Sequence, residues 1–395
     1  MKKLNRIAIA IALAYGISGN AWSADATVTQ SGDGNTGTVT QTAANYYGLL
    51  TTANVSQTGN TNNANVTQDF VAGPSANVTQ TGDLNTATTY QNDLISASAT
   101  ISQTGNMNTG GISQSAGFGG WANNAQATIN QDGTNNTGNI NQTGTNNGGS
   151  NPTDAVTATI NQVNGSTNAV GLINQSGISL RSVASITQDG LPVSGVTPTA
   201  NTAVIDQTGP DHSATITQQI TRGDNASINQ SGSHHTATIF QRDAWFGIVS
   251  ILQSGSDHVA SITQNPTSDF STASITQSGE ANTASVTHNN ADGSSATVTQ
   301  DGVAHTANVT QGGYQLHATV NQAGAANQAT VNQSGLWNDA NIQQSGSAHI
   351  ATINQSGAGT SALHNTATIL QSGFANSAAI SQSGGAGNTA SITQN

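Results

Sequence analysis

The stretch Ala26-Thr27-Val28-Thr29-Gln30-Ser31-Gly32-Asp33-Gly34-Asn35 opens a phrase that recurs along almost the whole chain. Its eleven-residue form is Ala-x-Val/Ile-x-Gln-x-Gly-x-x-Asn-x, and it returns about thirty times before Asn395. A short and persistent period is typical of stacked identical units, each of which contacts only its neighbours. The sequence therefore predicts a solenoid whose function is a property of the stack.

Apolar and polar residues alternate in twos within each phrase, as in the Ala-Thr-Val-Thr-Gln run over residues 26–30. A period of two is typical of β-strands and differs from the 3.6-residue period of a helix. Ala, Val or Ile, and Gln should share the inner face, and Thr, Ser and Asn the outer face. We therefore predict an all-β fold, a β-solenoid with two strands per rung, about 22 residues per rung and about fifteen rungs.

Two kinds of link join the predicted strands. The link that carries Gly-x-x-Asn, such as Gly59 with Asn62, nearly always keeps eleven residues from Gln to Gln, whereas the alternate link varies in length. Insertions are tolerated where a turn geometry is not shared by the stack. We therefore expect the long excursions on one edge of the rung, at 42–52, 115–125, 143–156, 189–203 and 356–366.

The predicted interior holds small aliphatic residues flanked by amides. A buried amide is costly unless it is hydrogen-bonded. Identical residues one rung apart sit at the spacing of about 4.8 Å between strands, where Gln and Asn side chains can bond along the axis as ladders. The repetition thus supplies the partner that each amide needs.

Charge excludes one class of function. The chain has 6 Lys and Arg against 18 Asp and Glu, and three of those cations lie within its first six residues. The remaining basic residues are Arg181, Arg222 and Arg242, too few to neutralise a phosphate backbone, so nucleic acid is not an expected partner. The absence of cysteine excludes a disulfide framework and a thiolate metal site.

Residues 1–24 are predicted to be a secretory signal peptide. Lys2, Lys3 and Arg6 precede the apolar run 7–17 and the small residues Ser18, Gly19 and Ala21, with cleavage expected between 21 and 26. The apolar run is too short for a convincing membrane span. We therefore predict an exported protein without membrane insertion, with residues 25–395 forming a single β-solenoid domain.

The phrase Gln80-Thr81-Gly82-Asp83-Leu84-Asn85-Thr86-Ala87, followed by Gln91, resembles the curlin repeat of the curli amyloid subunits. The resemblance covers essentially the whole chain after the signal peptide. It implies an extracellular functional amyloid fibre of the biofilm matrix, a homopolymer that mediates adhesion and aggregation. It also implies secretion through a dedicated outer-membrane pore and templating on a nucleator subunit.

The resemblance assigns roles to individual residues. Inward amides of the fibre core would be Gln30, Asn35, Gln41, Gln57, Asn62, Gln68, Gln80, Asn85, Gln91, Gln322, Asn327, Gln333, Gln371, Asn376, Gln382 and Gln394. Turn residues that slow aggregation, termed gatekeepers, would be Gly82 with Asp83, Asp132 with Gly133, and Asp301 with Gly302. Acidic turns fit this role because stacked like charges repel.

Two features differ from the familiar curli subunits. Those subunits have a handful of repeats, whereas this chain has about fifteen rungs. They also carry a Gly-rich leader that addresses them to the pore, whereas here the first strand is expected to start at Ala26.

Histidine replaces asparagine five residues after the strand-closing Gln at His212, His235, His258, His305 and His349. The first three lie in consecutive predicted rungs and should stack as a histidine ladder. A weak metal site or a pH switch is one interpretation. The other is that a neutral imidazole replaces the Asn amide as donor and acceptor, and no metal or cofactor is predicted.

Aromatic residues collect in the excursions, at Tyr46, Tyr47, Phe118, Trp121, Trp245, Phe246 and Trp337. They can serve as binding stacks for a carbohydrate or a surface, or as caps over an open edge of the solenoid. No catalytic triad, carboxylate pair or phosphate loop stands out, so an enzyme is not predicted.

The leading hypothesis is a structural fibre subunit that grows head to tail, because neither predicted end shows a cap. One alternative is a monomeric ice-binding β-solenoid, suggested by outward pairs such as Thr27 with Thr29 and Thr297 with Thr299. A monomeric surface adhesin is a third possibility.

Overall fold

The computed structural model describes residues 8–14, 24–43, 50–71, 73–115, 122–144, 155–177, 181–190 and 200–395. Strands are the regular elements of these residues, which contain no helix and hence no helical membrane span. They form two compact units, Met1–His212 and Ser213–Asn395. Each unit is described by itself.

The described residues of the first unit form seventeen strands. They are β1 (Ala8–Ala14), β2 (Ala24–Ser31), β3 (Thr36–Ala43), β4 (Thr51–Thr58), β5 (Asn63–Val71), β6 (Ser75–Thr81), β7 (Thr86–Asn92), β8 (Leu94–Ile95), β9 (Ser98–Asn106), β10 (Thr109–Ser115), β11 (Ala122–Asn123), β12 (Gln126–Thr134), β13 (Thr137–Thr143), β14 (Thr157–Thr167), β15 (Val170–Ser176), β16 (Val183–Asp189) and β17 (Thr202–Thr208).

The second unit contains sixteen strands. They are β18 (Ser213–Gln219), β19 (Asn225–Ser233), β20 (Thr236–Arg242), β21 (Ile248–Ser256), β22 (Val259–Gln264), β23 (Thr272–Glu280), β24 (Thr283–Asp292), β25 (Ser295–Val303), β26 (Thr306–Tyr314), β27 (His317–Ala325), β28 (Gln328–Leu336), β29 (Asn338–Ser347), β30 (Ile350–Gln355), β31 (Asn365–Phe374), β32 (Ser377–Gln382) and β33 (Thr389–Gln394).

Each unit is a pair of parallel sheets whose strands alternate along the chain. In the first unit one sheet has the order β1-β3-β5-β7-β10-β13-β15-β17 and the other β2-β4-β6-β9-β12-β14-β16, with β8 and β11 pairing separately. In the second unit the orders are β19-β21-β23-β25-β27-β29-β31-β33 and β18-β20-β22-β24-β26-β28-β30-β32. The predicted all-β solenoid with two strands per rung is confirmed.

Neighbouring rungs stack with equivalent residues in register. In β25 and β27, for example, Ala296 pairs with Ala318, Val298 with Val320 and Gln300 with Gln322. The register shifts at a few places, among them the step from Gln131 to Gly133 in β12. A slip of one residue would turn every inner side chain outward, so burial of one face enforces this register.

The core lies between the two sheets of a unit and consists of the alternate residues predicted to face inward. Ile160, Ile205, Ile239 and Val298 are fully buried, and so are the alanines two residues before them in the same strands. Full burial of such an aliphatic side chain contributes roughly 1.5–3 kcal/mol relative to exposure. Because each rung repeats this contact, the stack gains stability with every rung that is added.

The long excursions do not all follow the same set of links, which corrects the expectation of one permissive edge. In the first unit the Gly-x-x-Asn link follows β2, β4, β6, β9 and β12, and the long links follow the alternate strands. Between β16 and β17 that order has changed, since the excursion at 189–203 replaces the tight link there. In the second unit eleven-residue links follow β19, β21, β23, β25, β27, β29 and β31, and two more follow β26 and β28.

The predicted signal segment contributes β1, which pairs in parallel with β3 from Ala8 opposite Thr36 to Ala14 opposite Thr42. Residues 15–23, which include residues 21–23 of the predicted cleavage region, lie outside the described residues. Removal of residues 1–24 therefore stays a prediction, as does the single-domain assignment of residues 25–395.

Candidate functional site: the amide ladders

Buried glutamines form ladders along the solenoid axis. In the first unit the Nε2 of Gln57 donates to Oε1 of Gln80 at 2.8 Å, Gln80 to Gln103 at 2.8 Å and Gln103 to Gln131 at 2.7 Å. In the second unit Gln277 donates to Gln300 and Gln300 to Gln322, both at 2.8 Å. In each of these bonds the glutamine that comes first in the chain is the donor, so the ladders have one polarity.

Each glutamine also joins the two sheets of its unit. The second N–H of Gln80 donates to the carbonyl oxygen of Asn63 at 3.1 Å, and that of Gln322 to the carbonyl oxygen of Thr306 at 3.1 Å. Both hydrogens of the amide are thereby satisfied without water. A network of buried polar groups that is fully bonded strengthens a core, whereas a partly bonded one weakens it.

The amides predicted for the fibre core lie in the interior. All of them are buried except Gln30, Asn376 and Gln394, which are half-buried. Gln41 donates to Gln68, Gln333 to Gln355 and Gln371 to Gln394 at 2.8 to 2.9 Å. The structure thus brings the residues assigned by resemblance into ladders, and their role in a fibre stays a prediction.

The asparagines of Gly-x-x-Asn form a second ladder along the tight turns of the first unit. Asn62 donates its backbone N–H to Oδ1 of Asn35 at 2.9 Å and its Nδ2 to the carbonyl oxygen of Gly82 at 2.7 Å. Asn85 repeats both bonds with Asn62 and Gly105. Each turn is therefore tied to the turn before it and to the turn after it.

The turn histidines take the place of these asparagines. His235 and His258 stack with ring centroids 4.9 Å apart and planes within 6°. The backbone N–H of His258 donates to Nδ1 of His235 at 3.2 Å. The equivalent bond in an asparagine turn runs from a backbone N–H to a side-chain Oδ1, as from Asn62 to Asn35. His212, the last residue of the first unit, is buried, and its Nε2 lies 3.1 Å from the carbonyl oxygen of Thr208.

This geometry favours the amide-substitute interpretation of the turn histidines over a metal site. In His258 one ring nitrogen accepts a backbone N–H and the other bonds a carbonyl oxygen, so no lone pair is left for a metal ion. Among the residues that the structure describes, no group of three or more His, Asp or Glu side chains is arranged to hold a metal.

His288 interrupts one glutamine ladder in the second unit. Nε2 of Gln264 lies 3.5 Å from Nδ1 of His288, while Nε2 of His288 and Oε1 of Gln311 are buried without a hydrogen-bond partner. Burial lowers the pKa of His288 to about 4, and the neighbouring Gln311 side chain works in the opposite direction. The imidazole is therefore neutral at physiological pH and leaves a gap in the ladder.

The predicted gatekeeper aspartates do not stack on one another. Asp83 accepts the backbone N–H of Asn60 at 2.7 Å and donates its own N–H to Asn106 at 2.9 Å. Asp301 accepts the hydroxyl of Ser278 and pairs in register with Ala323, and Asp132 pairs with Thr104. Because uncharged neighbours separate these aspartates, the repulsion between rungs within the chain is weaker than in a stack of like charges, which the gatekeeper prediction assumed.

Three of the predicted aromatic residues, Trp245, Phe246 and Trp337, contact another ring or a cation in the turns of the second unit. Phe246 and Phe270 have ring centroids 5.4 Å apart, and Trp337 packs edge-on against Tyr314 at 5.7 Å. The guanidinium of Arg222 lies 5.8 Å from the ring centroid of Trp245. Tyr46, Tyr47, Phe118 and Trp121 lie outside the described residues.

Sequence reasoning missed the buried carboxyl group of Asp224. Burial raises the pKa of Asp224 to about 8, and the Asp269 carboxylate adds to this, while a 2.7 Å bond from the N–H of Gly247 opposes it. Asp224 immediately precedes β19, at a position where other rungs hold an uncharged residue such as Ser271 or Asn338. An aspartate at a position that is uncharged in other rungs was the sequence signal that could have identified this site.

A parallel stack of rungs joined by ladders of identical amides defines a β-solenoid with cross-β stacking of its rungs. The sequence model described as Curlin associated repeat matches residues 271–302 and 365–395, both in the second unit. These two stretches of the chain are therefore similar to the curlin repeat. No curated protein sequence matches the chain.

The ladder should be sensitive to loss of one buried amide, and β29 offers a matched pair. Gln344 is buried, accepts from Gln322 at 2.8 Å and donates to Gln371 at 2.9 Å, whereas the adjacent Gln343 is exposed. Gln344→Leu should lower the free energy of unfolding of the soluble chain by about 2–4 kcal/mol, because amide groups of both neighbours lose a partner. Gln343→Leu should change it by less than about 0.5 kcal/mol. Equal denaturant midpoints for the two variants would contradict a stabilising ladder.

Proposed function

We propose that this protein is a structural subunit of an extracellular, curli-type amyloid fibre of the biofilm matrix. In this fibre, rungs of one copy add to rungs of another by cross-β stacking, and the polymer mediates adhesion and aggregation. The observation that carries the proposal is the in-register ladder of buried glutamines, which uses the same donor and the same acceptor at successive rungs.

The ladder supports addition between copies because its contacts are not specific to one neighbour. The glutamine side chains of a rung present Oε1 to one neighbouring rung and Nε2–H to the other. The rung also presents an alanine and a β-branched residue in register with those of its neighbours. A rung of a second copy has the same set in the same order. Stacking of identical segments in register at about 4.8 Å is the arrangement of cross-β fibres.

The remaining parts of the proposal rest on the family and on the predicted signal peptide. A curlin-repeat protein with a secretory signal would be exported, cross the outer membrane through a dedicated pore and polymerise on a nucleator subunit at the cell surface. The low content of basic residues supports a partner other than nucleic acid. The fold and the repeat support a structural role and not an enzymatic one.

The outer face gives little support to the ice-binding alternative. Phe240 lies in register between Thr217 and Thr263, and Leu252 lies between Asn229 and Thr276. A regular threonine array is therefore broken in both sheets of the second unit. A monomeric adhesin would share the fold, and the fibre experiment distinguishes it.

Purified chain without residues 1–24 should assemble into unbranched fibres. We expect cross-β diffraction at about 4.8 Å along the fibre axis and a positive thioflavin signal. Electron microscopy of Gln343→Leu and Gln344→Leu under the same conditions provides the control, with slower growth expected for Gln344→Leu alone. A monomer that stays soluble for days at micromolar concentration, without inhibitors, would overturn the fibre proposal.

A further inference from the structure

One column of turn residues in the second unit alternates between imidazole and amide side chains. We call it the turn column, and it consists of His235, His258, Asn282, His305, Asn327, His349 and Asn376. The first six of these residues are buried and Asn376 is half-buried. In this column every side chain from His235 to His349 accepts the backbone N–H of the next residue in the column.

Four of these acceptors are imidazole nitrogens. The N–H of His258 donates to Nδ1 of His235, and that of Asn282 to Nδ1 of His258, each at 3.2 Å. Asn327 and Asn376 donate in the same way to Nδ1 of His305 and of His349, again at 3.2 Å.

The two remaining acceptors are amide oxygens. His305 donates its backbone N–H to Oδ1 of Asn282 at 2.8 Å, and His349 donates to Oδ1 of Asn327 at 3.0 Å. The turn column therefore contains two kinds of acceptor for equivalent backbone N–H groups. An imidazole nitrogen can take up a proton at mildly acidic pH, and an amide oxygen cannot.

The other ring nitrogen fixes the tautomer of each imidazole. Nε2 of His235, His258, His305 and His349 lies 2.9 to 3.2 Å from the carbonyl oxygen four residues earlier in the chain. A carbonyl oxygen can only accept, so Nε2 must carry the hydrogen. Nδ1 then has a lone pair, and the bond to the next turn exists only while the ring is neutral.

We propose that these four imidazoles are proton-binding sites that release individual links of the turn column when the pH falls below neutral. A proton on Nδ1 replaces an acceptor with a donor that points at a backbone N–H. The bond between the two turns is lost at that step, while the bond from Nε2–H to the carbonyl oxygen is kept. The neighbouring links that use Asn282 and Asn327 are unaffected.

The surroundings of the rings set the direction of their titration. Burial lowers the pKa of His258 and of His305 below 6.5, while Asp257 and Asp301 respectively oppose this shift. The carboxylate of Glu280 lies in an intervening turn and is exposed, and His234 neighbours His235. Because the folded pKa of His258 and of His305 lies below the unfolded value of 6.5, these two neutral rings stabilise the fold above about pH 6.5, and this contribution is lost as the pH falls through the folded pKa.

Amide hydrogen exchange of the soluble chain tests the proposal and does not depend on fibre formation. Between pH 7 and pH 4.5, the protection factors of the backbone amides of His258, Asn282, Asn327 and Asn376 should fall by about tenfold, the factor expected for one lost hydrogen bond. The amides of His305 and His349 are controls in the same column. They should keep their protection, because amide oxygens accept their hydrogens.

A variant with asparagine at His235, His258, His305 and His349 supplies the matched control. It should keep protection at all six amides at pH 4.5, and the ¹⁵N shifts of the unmodified chain at pH 7 should show a hydrogen on Nε2 and a lone pair on Nδ1. Equal loss of protection at imidazole-accepted and amide-accepted links would overturn the proposal. So would the opposite tautomer, or the same acid response in the asparagine variant.

Discussion

Replacement of Gly324 by alanine is expected to lower the free energy of unfolding by more than about 4 kcal/mol, an exceptionally large effect for one methyl group. Gly324 has a φ of +103°, and a Cβ built there would lie 2.1 Å from the carbonyl oxygen of Gly346 in the next rung. That oxygen belongs to the backbone of a stacked turn, so relief of the clash must separate the rungs. Denaturant unfolding of the soluble chain measures the loss.

Gly384 provides the control for this prediction because it isolates the backbone strain. Its φ is +104°, and a Cβ built there would meet nothing within 4 Å. Gly384→Ala should therefore cost only the strain of an L-residue in this conformation, about 1–2 kcal/mol. If the two variants lose the same stability, the close approach between rungs contributes nothing, and glycine is required only for its conformational freedom.

The fold could be predicted from the sequence because the same short alternating pattern recurs along the chain. One Ala-x-Ile-x-Gln segment is ambiguous, since a brief apolar alternation can occur in many settings. Recurrence at a fixed spacing removes the ambiguity, and it also predicts that Gln300 and Gln322 meet their equivalents in the neighbouring rungs. Strand type, inner face and amide ladders therefore followed from the period.

The change in the order of tight and long links could not be predicted. Gln162, Gln175, Gln188 and Gln207 are separated by 13, 13 and 19 residues, so neither tight nor permissive links stand out there by length. Residues 165–168 still read Gly-Ser-Thr-Asn, but Ala169 and not Asn168 donates its backbone N–H to Oδ1 of Asn136. The turn can therefore keep this hydrogen bond when its sequence phrase is displaced by one residue, which the spacing alone does not show.

Side-chain chemistry within the column was also beyond the sequence. The five histidines were correctly placed at asparagine positions, but the pattern could not show which ring nitrogen accepts. A pH switch was one interpretation of these histidines. At His305, whose neighbours in the column are Asn282 and Asn327, such a switch would act through the loss of a single backbone bond and needs no stacked imidazole.

The burial of Asp224 in the stack could not be predicted from the residues next to it in the sequence. An aspartate near a glycine, here Gly223, is typical of an exposed turn, and nothing local indicates that this carboxyl group is fully buried. The next rung supplies the N–H of Gly247 and covers the position. With its pKa raised to about 8, the carboxyl group is mostly protonated at pH 7. A neutral carboxyl group can occupy the buried position that the uncharged amide of Asn338 holds in another rung.

Asp224→Asn is therefore expected to remove a pH dependence of stability that the unmodified chain shows between about pH 4 and pH 8. The folded pKa of about 8 lies above the unfolded value of 3.8, so the folded state binds more protons in this window, and stability falls as the pH rises through it. A shift of this size corresponds to a loss on the order of 5 kcal/mol once the group is ionised in both states. Asparagine at the equivalent position is already accommodated at Asn338, which bonds Asn365 at 2.9 Å.

The measurement is the denaturant midpoint of the soluble chain at pH 5, 7 and 9, with Asp93→Asn as the control at an exposed aspartate. At pH 5 the carboxyl group of Asp224 is neutral in the folded chain and ionised in the unfolded chain, so Asp224→Asn should be more stable than the unmodified protein by no more than about 2 kcal/mol. At pH 9 the variant should be the more stable by several kcal/mol, because it has no buried charge. Asp93→Asn should follow the unmodified chain at all three values. The same decline from pH 5 to pH 9 in Asp224→Asn would mean that other groups control alkaline stability, and that ionised Asp224 is solvated by an opening of its turn.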